Sequence, residues 1–334
     1  MIKSGEKKII FSGIQPTGTI HIGNYLGAIK NWVELQKNPN YDCFFSVVDL
    51  HAMTIPYDAK KFQEIIYNTA LDNLAAGLNP KKCTLFIQSQ IKEHSELTWI
   101  LDTITPLGEL ERMTQFKEKA EEQKKEVNAG LLTYPVLQAA DILLYKTDFV
   151  PVGKDQEQHI ELSRTLARKF NVRFGKVFIE PQTLIPKVGA KIMSLQDHSK
   201  KMSKSHGPES YIALFDSDDE IRRKIKTSVT DSGKEIKYDE KNKPAISNLL
   251  TIYHLFSEQP IKEIEKKYKG KGYAEFKYDL AEVIVKHLKP LREKRQKIAK
   301  NPDYVRDILE KGRIRAQKIA SQTMEEIKRK VGLI

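Results

Sequence analysis

Hydrophobic residues in the first half of the chain alternate between short continuous runs and helical spacing. The continuous runs at residues 8–12, 43–48 and 84–87 are typical of buried strands. Helical spacing is carried by Ile22, Tyr25, Leu26, Ile29, Trp32 and Val33, and later by Phe62, Ile65, Ile66 and Leu74. Because buried strands that alternate with helices pair in parallel, the pattern predicts an α/β fold with a doubly wound, Rossmann-like sheet.

The second half of the chain is predicted to be largely helical. Residues 93–146 form a helical insertion, strands at 149–152 and 177–179 resume the alternation, and helices alone follow from about residue 216. One apolar face runs along the last helix: Val305, Ile308, Leu309, Gly312, Ala316, Ile319, Ala320, Thr323 and Ile327. We therefore expect an α/β domain over residues 1–215 and a helical domain over 216–334, whose last helix packs back on the α/β body.

Composition narrows the class of protein. The chain has 334 residues, of which 40% are hydrophobic and 30% charged, as in folded soluble proteins. No apolar run approaches the roughly 18 residues of a membrane span, and no secretory signal opens the chain, so we expect a cytoplasmic protein without membrane association. Cys43 and Cys83 lie in apolar runs and are expected to be buried thiols, with no metal site.

Basic residues are concentrated towards the end of the chain. From Ile261 onwards there are 21 Lys and Arg against 11 Asp and Glu, a net charge of +10 out of a total of +12. This distribution favours a polyanion partner, but abundant lysine on solvated helix faces would give the same count. Charge alone leaves both interpretations open.

The first strand leads into the turn-forming sequence GIQPTGTIHIGN at residues 13–24. Pro16 and Gly18 favour a tight turn, and Thr19 is a candidate N-cap of the next helix. Backbone N–H groups of that helix would face an anion, Gly23 would allow close approach, and His21 can donate to a phosphate oxygen. An isolated histidine in such a place is more often a surface or capping residue.

A second candidate phosphate-binding segment is the sequence KMSKS at residues 201–205. Two lysines separated by two residues can bring positive charge to a polyphosphate, where negative charge builds on a departing pyrophosphate. Neither a P-loop nor a Gly-x-Gly-x-x-Gly fingerprint occurs in the chain.

The two segments together resemble the HIGH and KMSKS signatures of class I aminoacyl-tRNA synthetases. The intervening sequence resembles the bacterial tryptophanyl-tRNA synthetase family in particular. The matching stretches are FSGIQP at 11–16, GELERMTQFK at 108–117, GLLTYP at 130–135, AADILLY at 139–145, VPVG at 150–153, DQ at 155–156 and KIMS at 191–194.

The resemblance implies a reaction in two steps. The carboxylate of L-tryptophan attacks the α-phosphate of ATP, carried with Mg²⁺, and the products are tryptophanyl-adenylate and pyrophosphate. The aminoacyl group then passes to the 3′-terminal adenosine of tRNA(Trp). Such an enzyme acts mainly by positioning reactants and stabilising charge. The family also implies a homodimer.

The resemblance implies catalytic roles for His21, Asn24, Lys119, Lys201, Ser203 and Lys204. ATP contacts are implied for Gln15, Pro16, Thr17, Gly23, Asn24, Gly153, Lys154, Asp155, Gln156, Ile192, Lys201, Met202, Ser203, Lys204 and Ser205. The second histidine of the HIGH signature is replaced by Asn24, whose amide can still form hydrogen bonds.

Asp141 is the most informative single side chain, because a carboxylate within an apolar helix needs a donor. Pairing with a neighbouring cation or capping a helix would satisfy it. The resemblance implies another partner, the indole N–H of tryptophan, and a site built around that bond rejects other amino acids. The same pocket is implied to include Phe11, Gly13, His51, Tyr134, Gln138, Ile142, Val150 and Val152. Ordinary core packing is the alternative for each apolar member.

Three other functions share parts of this pattern. A tyrosyl-tRNA synthetase has the same fold, but the sequence around Asp141 argues against it. A cofactor adenylyltransferase shares the first turn, but it lacks the basic helical domain. A tRNA-binding paralogue without activity would not need both phosphate-binding segments. In the helical domain, the segment RRKIK at residues 222–226 and the C-terminal lysines are candidates for tRNA contact.

Overall fold

The computed structural model describes residues 7–117, 127–153, 156–185 and 191–334. Five parallel strands form a single sheet in the order β3-β2-β1-β4-β5. The strands are β1 (Lys8–Ile14), β2 (Tyr41–Val47), β3 (Cys83–Ile87), β4 (Phe149–Pro151) and β5 (Gln182–Leu184). The order reverses on either side of β1, so the sheet is doubly wound as predicted.

Helices cover the sheet and make up most of the rest of the described chain. The first, α1, runs through Ile22–Asn24, a π-helical turn at Tyr25–Ile29 and Lys30–Leu35. Helices of the α/β body and its insertion are α2 (Asp49–Ala52), α3 (Ala59–Ala75), α4 (Glu93–Asp102), α5 (Leu107–Glu111), α6 (Ala129–Leu143) and α7 (Glu157–Phe174). Helices of the C-terminal part are α8 (Asp218–Thr227), α9 (Pro244–Ser257), α10 (Ile261–Lys267), α11 (Tyr273–Ala299) and α12 (Pro302–Val331).

The sheet is buried on both faces, which explains its continuous hydrophobic runs. Neighbouring residues of one strand enter different cores: Phe44 packs with Phe11 on one face, whereas Phe45 packs with Ile10 on the other. The predicted face of α1 is also buried, except that Val33 is only partly so. Both thiols are free and buried, as expected from their apolar runs.

The predicted strand at residues 177–179 is wrong, because the fifth strand lies later, at Gln182–Leu184. The backbone of the earlier segment is bound by a side chain instead of a strand. The Oδ1 atom of Asn171 accepts from the backbone N–H groups of Val177 and Phe178, and its Nδ2 donates to the carbonyl oxygen of Phe178. Val177 and Phe178 are therefore apolar because they are buried against α7, where Phe170 contacts the Phe178 ring.

The N-cap expected at Thr19 is also wrong. Helix α1 begins at Ile22, with His21 as its N-cap, and the Oδ1 atom of Asn24 accepts from the backbone N–H of His21 at 3.1 Å. The two residues before the helix are taken up by an extended pairing, in which Leu214 N–H donates to the Ile20 carbonyl at 2.8 Å. This pairing moves the N-cap two residues beyond Thr19, to His21.

The last helix, α12, crosses the edge strand β3 at very close range. A Cβ added to Gly312 would lie 1.9 Å from the carbonyl oxygen of Leu85, so only glycine fits at the crossing. One turn later in α12, Nη1 of Arg315 donates to the Thr84 hydroxyl. Its Nη2 atom donates to both carboxylate oxygens of Asp42. The apolar face predicted for α12 is buried here, with Ile319 partly so.

None of the described helices is long and apolar enough to span a membrane. The boundary at residue 215 between an α/β and a helical domain stays a prediction.

Candidate functional site

Most of the residues singled out in the sequence lie at one edge of the sheet. The carboxyl ends of β1, β2 and β4 lead directly into the segments that carry Gln15, His51 and Val152. In a doubly wound sheet this edge is where ligands bind, because the loops that leave neighbouring strands diverge there.

At the centre of this edge lies the buried carboxylate of Asp141, which is 1% exposed. Its Oδ2 atom accepts from Nε2 of His51 at 2.7 Å. Its Oδ1 atom accepts from Nε2 of Gln88 at 2.7 Å and from Nδ1 of His94 at 2.6 Å. Burial acts to raise the pKa of Asp141, but the two histidines hold it at about 2, so the carboxylate is ionised at neutral pH.

Helix α6 places three of the predicted pocket residues on one face. Tyr134, Gln138 and Asp141 follow one another at spacings of four and three residues. The Tyr134 hydroxyl is hydrogen-bonded to Gln115 at 3.0 Å and to His159 at 2.9 Å. Its ring meets the His51 ring edge-on at 6.2 Å. Tyr134 is thus held at the wall next to Asp141, while Gln138 is half-buried.

The apolar members of the predicted pocket are core residues of one face of the sheet. Phe11, Ile142 and Val150 are 3% exposed or less and belong to one cluster, against which Val152 packs. Gly13 lies two residues beyond Phe11 on β1, and a Cβ there would approach the side chain of Val48 to 2.6 Å. Phe11, Ile142 and Val150 are therefore packed in the hydrophobic core of the sheet.

The first phosphate-binding segment surrounds His21 at the start of α1. His21 is 7% exposed, and a Cβ at Gly23 would lie 2.9 Å from its Nδ1 atom. Burial lowers the pKa of His21 to about 4, with help from the positive charges of Lys204 and Lys201. The imidazole is therefore uncharged at neutral pH, so it can donate one hydrogen bond but adds no charge.

The second phosphate-binding segment rests on the first. The Nζ atom of Lys204 donates to the carbonyl oxygen of Thr17 at 2.6 Å and lies 3.4 Å from its hydroxyl. Burial lowers the pKa of Lys204 to about 8. A Cβ at Gly18 would also approach this Nζ atom, at 3.5 Å. The contact brings together two segments that the sequence separates by 187 positions.

A short hairpin carries the second segment. Met202 N–H donates to the Ile192 carbonyl at 2.9 Å, and Met193 pairs with Lys201, which is exposed. Asn248 of α9 holds the hairpin from behind, because its side chain accepts from Met193 N–H and donates to the Met193 carbonyl. Ile192 and Met202 are buried, at 2% and 3% exposure.

Other described members of the predicted ATP site lie in short turns and loops. Ser203 caps the short 3₁₀ turn Lys204–His206, and its hydroxyl lies 2.9 Å from that of Ser205. Gln15 is exposed and Pro16 buried in the turn after β1, whereas Gly153 accepts from Gln156 N–H at 3.0 Å after β4. The predicted residues Lys119, Lys154 and Asp155 lie outside the described residues.

Four residues of the site were not predicted from the sequence: Gln88, His94, Tyr145 and Asn248. Gln88 directly follows β3, and polar residues at the carboxyl end of a buried parallel strand are a signal that would have identified it. The others have no such signal, because their partners lie 47 to 55 positions away along the chain.

The candidate tRNA-binding segment at residues 222–226 is largely occupied by ion pairs. Lys224 is 4% exposed and binds Asp216 at 2.6 Å, so its assignment as a surface phosphate contact is wrong. Arg222 binds Glu282 and Arg223 binds Glu209, each at 2.6 Å. Of this segment, Lys226 remains as an exposed basic residue.

Comparison with known proteins places this geometry in a family. The family model for tRNA synthetases class I (W and Y) matches residues 3–289. A tryptophan–tRNA ligase of Halalkalibacterium halodurans is 51% identical over 328 residues, which cover 98% of each chain. One from Bacillus subtilis is 49% identical with the same coverage.

Solved structures resemble the chain over nearly its whole length. Tryptophanyl-tRNA synthetase from Mycoplasma pneumoniae superposes with a TM-score of 0.89 at 36% identity, covering 98% of both chains. The enzyme from Campylobacter jejuni, solved with ADP and tryptophan, gives a TM-score of 0.82 at 37% identity and covers 97% of this chain and 99% of its own.

Proposed function

Because the chain belongs to the class I tRNA synthetases for tryptophan and tyrosine, we propose that the site described above binds L-tryptophan beside ATP and joins them. The chain is a tryptophan–tRNA ligase in activity: it activates L-tryptophan with ATP to tryptophanyl-adenylate and pyrophosphate, then transfers tryptophan to tRNA(Trp). The tyrosine-specific, adenylyltransferase and noncatalytic alternatives are set aside. The residues that bind the two substrates and stabilise the departing pyrophosphate are proposed from the geometry of the site.

The assignment of the amino-acid pocket rests mainly on the buried carboxylate of Asp141. The indole N–H is a donor without an acceptor, so its best partner is an ionised group that only accepts. Oδ2 of Asp141 accepts from His51 alone among the described residues and keeps a second acceptor position. Since Asp141 is 1% exposed, the indole ring has to displace side chains that cover it. Phe11, Tyr134, Val150 and the other predicted apolar residues would then enclose the ring.

The contact between Lys204 and Thr17 supports the assignment of the phosphate site. The Nζ atom of Lys204 lies 2.6 Å from the carbonyl oxygen of Thr17 in the turn that follows β1, so a phosphate placed at this turn lies within reach of the cation. His21 is uncharged and can donate a single hydrogen bond, whereas the two lysines supply the positive charge. As the α-phosphate is attacked, charge moves onto the departing pyrophosphate, and Lys204 and Lys201 stabilise it there.

Magnesium enters our proposal as part of the substrate. Among residues 7–117, 127–153, 156–185 and 191–334, no group of three or more His, Cys, Asp and Glu side chains could hold a metal ion. Mg²⁺ is commonly bound through substrate phosphates and water, and we propose that it arrives as the ATP complex.

A homodimer is supported by exposed apolar side chains near the insertion. Trp99, Leu107 and Val172 are 72%, 59% and 88% exposed. Val172 lies in a groove that is also lined by Ile104 and Pro106, next to Leu107. Exposed large apolar groups that gather on one side of a protein mark interaction surfaces. We propose that a second copy of the chain covers them.

The basic C-terminal part is proposed to bind the tRNA, because polyanions are attracted by its excess of Lys and Arg. The charging of tRNA for protein synthesis supports a cytoplasmic location.

Amino-acid-dependent ATP–pyrophosphate exchange tests the proposal directly. Each of the twenty amino acids is tested alone, without tRNA, and exchange is expected with tryptophan only. Asp141→Ala is expected to erode the discrimination between tryptophan and other aromatic amino acids. If selectivity for tryptophan survives this change in folded protein, the assignment of Asp141 to the indole N–H is wrong.

A further inference from the structure

Behind Asp141 lies a set of buried polar groups that face away from the proposed substrate. His94 and Tyr145 are both 0% exposed. Nδ1 of His94 is 2.6 Å from Oδ1 of Asp141, and Nε2 of the same ring is 2.8 Å from the Tyr145 hydroxyl. The three side chains form a chain of hydrogen bonds that leads from the carboxylate into the core.

The direction of these hydrogen bonds follows from the chemistry of the groups. An ionised carboxylate only accepts hydrogen bonds, so Nδ1 of His94 carries a proton and donates a hydrogen bond to Asp141. Burial, and next the charge of Asp141, raise the pKa of Tyr145 well above its usual value, so its hydroxyl keeps its proton. Nε2 of His94 is bonded to that hydroxyl at 2.8 Å, and this bond fixes which nitrogen of His94 faces the carboxylate.

Tyr145 is itself held firmly. Its ring stacks on Phe11 at 5.5 Å and on Phe44 at 5.3 Å. Phe11 is a predicted wall of the indole pocket, so Tyr145 joins that wall to the hydrogen bonds beneath the carboxylate. Gln88 adds a second donor to Oδ1 of Asp141, and its own carbonyl accepts from Leu50 N–H at 3.1 Å.

We propose that His94 and Tyr145 are positioning residues for the selection of tryptophan. His94, which is held by Tyr145, and Gln88 occupy both acceptor positions of Oδ1 of Asp141 and prevent the carboxylate from rotating. The open acceptor position of Oδ2 is then held towards the indole N–H. This inference rests on the proposed role of Asp141. His94 and Tyr145 orient the Asp141 carboxylate towards the indole N–H and do not touch the substrate themselves.

The test uses two substrates that differ only at the proposed contact. In β-(benzothiophen-3-yl)alanine, sulfur replaces the indole N–H and cannot donate a hydrogen bond. The ratio of kcat/KM for tryptophan over this analogue is measured by ATP–pyrophosphate exchange. A hydrogen bond to a charged group predicts a ratio of roughly 10 to 100 in the unchanged protein. General damage to the active site lowers both values and leaves the ratio unaltered.

Tyr145→Phe is the sharpest variant, because it removes one hydroxyl and keeps the stacked ring. We expect the ratio to fall about three- to tenfold, which corresponds to one hydrogen bond, mainly through a higher KM for tryptophan. His94→Asn keeps a donor near the position of Nδ1 and is expected to retain more of the ratio than His94→Leu. Tyr25→Phe is the matched control, since it removes another tyrosine–histidine hydrogen bond, to His287 at 3.0 Å, and should leave the ratio unchanged.

Asp141→Ala removes both acceptor oxygens and so separates failure of this inference from failure of the proposed function. If Asp141→Ala leaves the ratio unchanged, the carboxylate does not bind the indole N–H and the pocket assignment fails. If Asp141→Ala lowers the ratio but Tyr145→Phe and both His94 variants do not, the positioning role is overturned. A parallel fall in Tyr145→Phe and Tyr25→Phe would overturn it as well.

Discussion

The Nζ atom of Lys204 lies 2.6 Å from the carbonyl oxygen of Thr17, so the two proposed phosphate-binding segments of this protein are in direct contact. A carbonyl oxygen satisfies the cation only partly, and an anionic phosphate oxygen is a stronger partner. We therefore expect a phosphate of ATP bound at this turn to replace the Thr17 carbonyl as the partner of Lys204.

Replacing Lys204 by alanine is expected to slow adenylate formation by about 100- to 1,000-fold, because the positive charge acts where pyrophosphate departs. The affinity for tryptophan should change by less than about threefold, since the proposed indole contact lies on other elements. Stopped-flow measurement of the first step gives both quantities. Lys200→Ala is the control: Lys200 is exposed and paired with Asp197 on the same hairpin. Equal losses in rate and in tryptophan affinity would show that Lys204 does not act on the transition state.

Adenylate formation is expected to weaken at high pH because burial lowers the pKa of Lys204 to about 8. As the pH rises through this value, the ammonium loses its proton, so kcat/KM for ATP should fall about tenfold for each further pH unit. Arginine stays charged throughout this range. The decline in Lys204→Arg should therefore begin at a higher pH. The same profile in both proteins would assign the titration to another group.

Protein stability should depend on His21 between pH 6.5 and pH 4. Burial lowers its pKa to about 4 in the folded protein, whereas the unfolded chain binds the proton near pH 6.5. Within this window the unfolded state holds more protons, so the free energy of unfolding falls as the pH is lowered, by up to about 3 kcal/mol from this residue. Urea unfolding at pH 7.5 and 4.5 measures the fall. His21→Asn should lose less stability over that interval, and an equal loss would contradict the prediction.

Gly312→Ala should destabilise the fold by at least about 3 kcal/mol. Its Cβ would lie 1.9 Å from the Leu85 carbonyl oxygen, and two backbones cannot separate as easily as a side chain can turn. Gly27→Ala is the matched control, because that glycine also lies in a helix but has no atom within 4 Å of an added Cβ. Thermal or urea unfolding compares the two, and losses of the same size would show that the crossing can relax.

Local patterns predicted the parts of the fold that depend on local chemistry. Buried strands around Phe11 and Phe44, and the apolar face of α12 through Gly312, follow from continuous runs and helical spacing. The misplaced fifth strand shows the limit of such patterns. Val177 and Phe178 are apolar and buried as in a strand, but their backbone bonds go to a side chain six or seven positions away.

In the candidate site, sequence identified residues whose type is unusual for their surroundings, such as Asp141 in an apolar helix. It could not identify His94 or Tyr145, because a buried histidine and a buried tyrosine are ordinary core residues until their partners are known. Lys224 shows the opposite error. Its neighbours in sequence are basic, but its partner Asp216 removes it from the surface.

The crossing of α12 over β3 affects folding during synthesis, because β3 is made long before the helix that covers it. Arg315 follows Thr84, its partner on the edge strand, by 231 positions. At roughly 5–20 residues per second, ribosomal synthesis takes on the order of 10 to 50 s to cover that distance. During this time the edge of β3 lacks its final cover, and an uncovered strand edge can pair with another chain. The nascent protein therefore completes its fold only when α12 has been synthesised. To avoid aggregation, the edge of β3 has to be shielded until then.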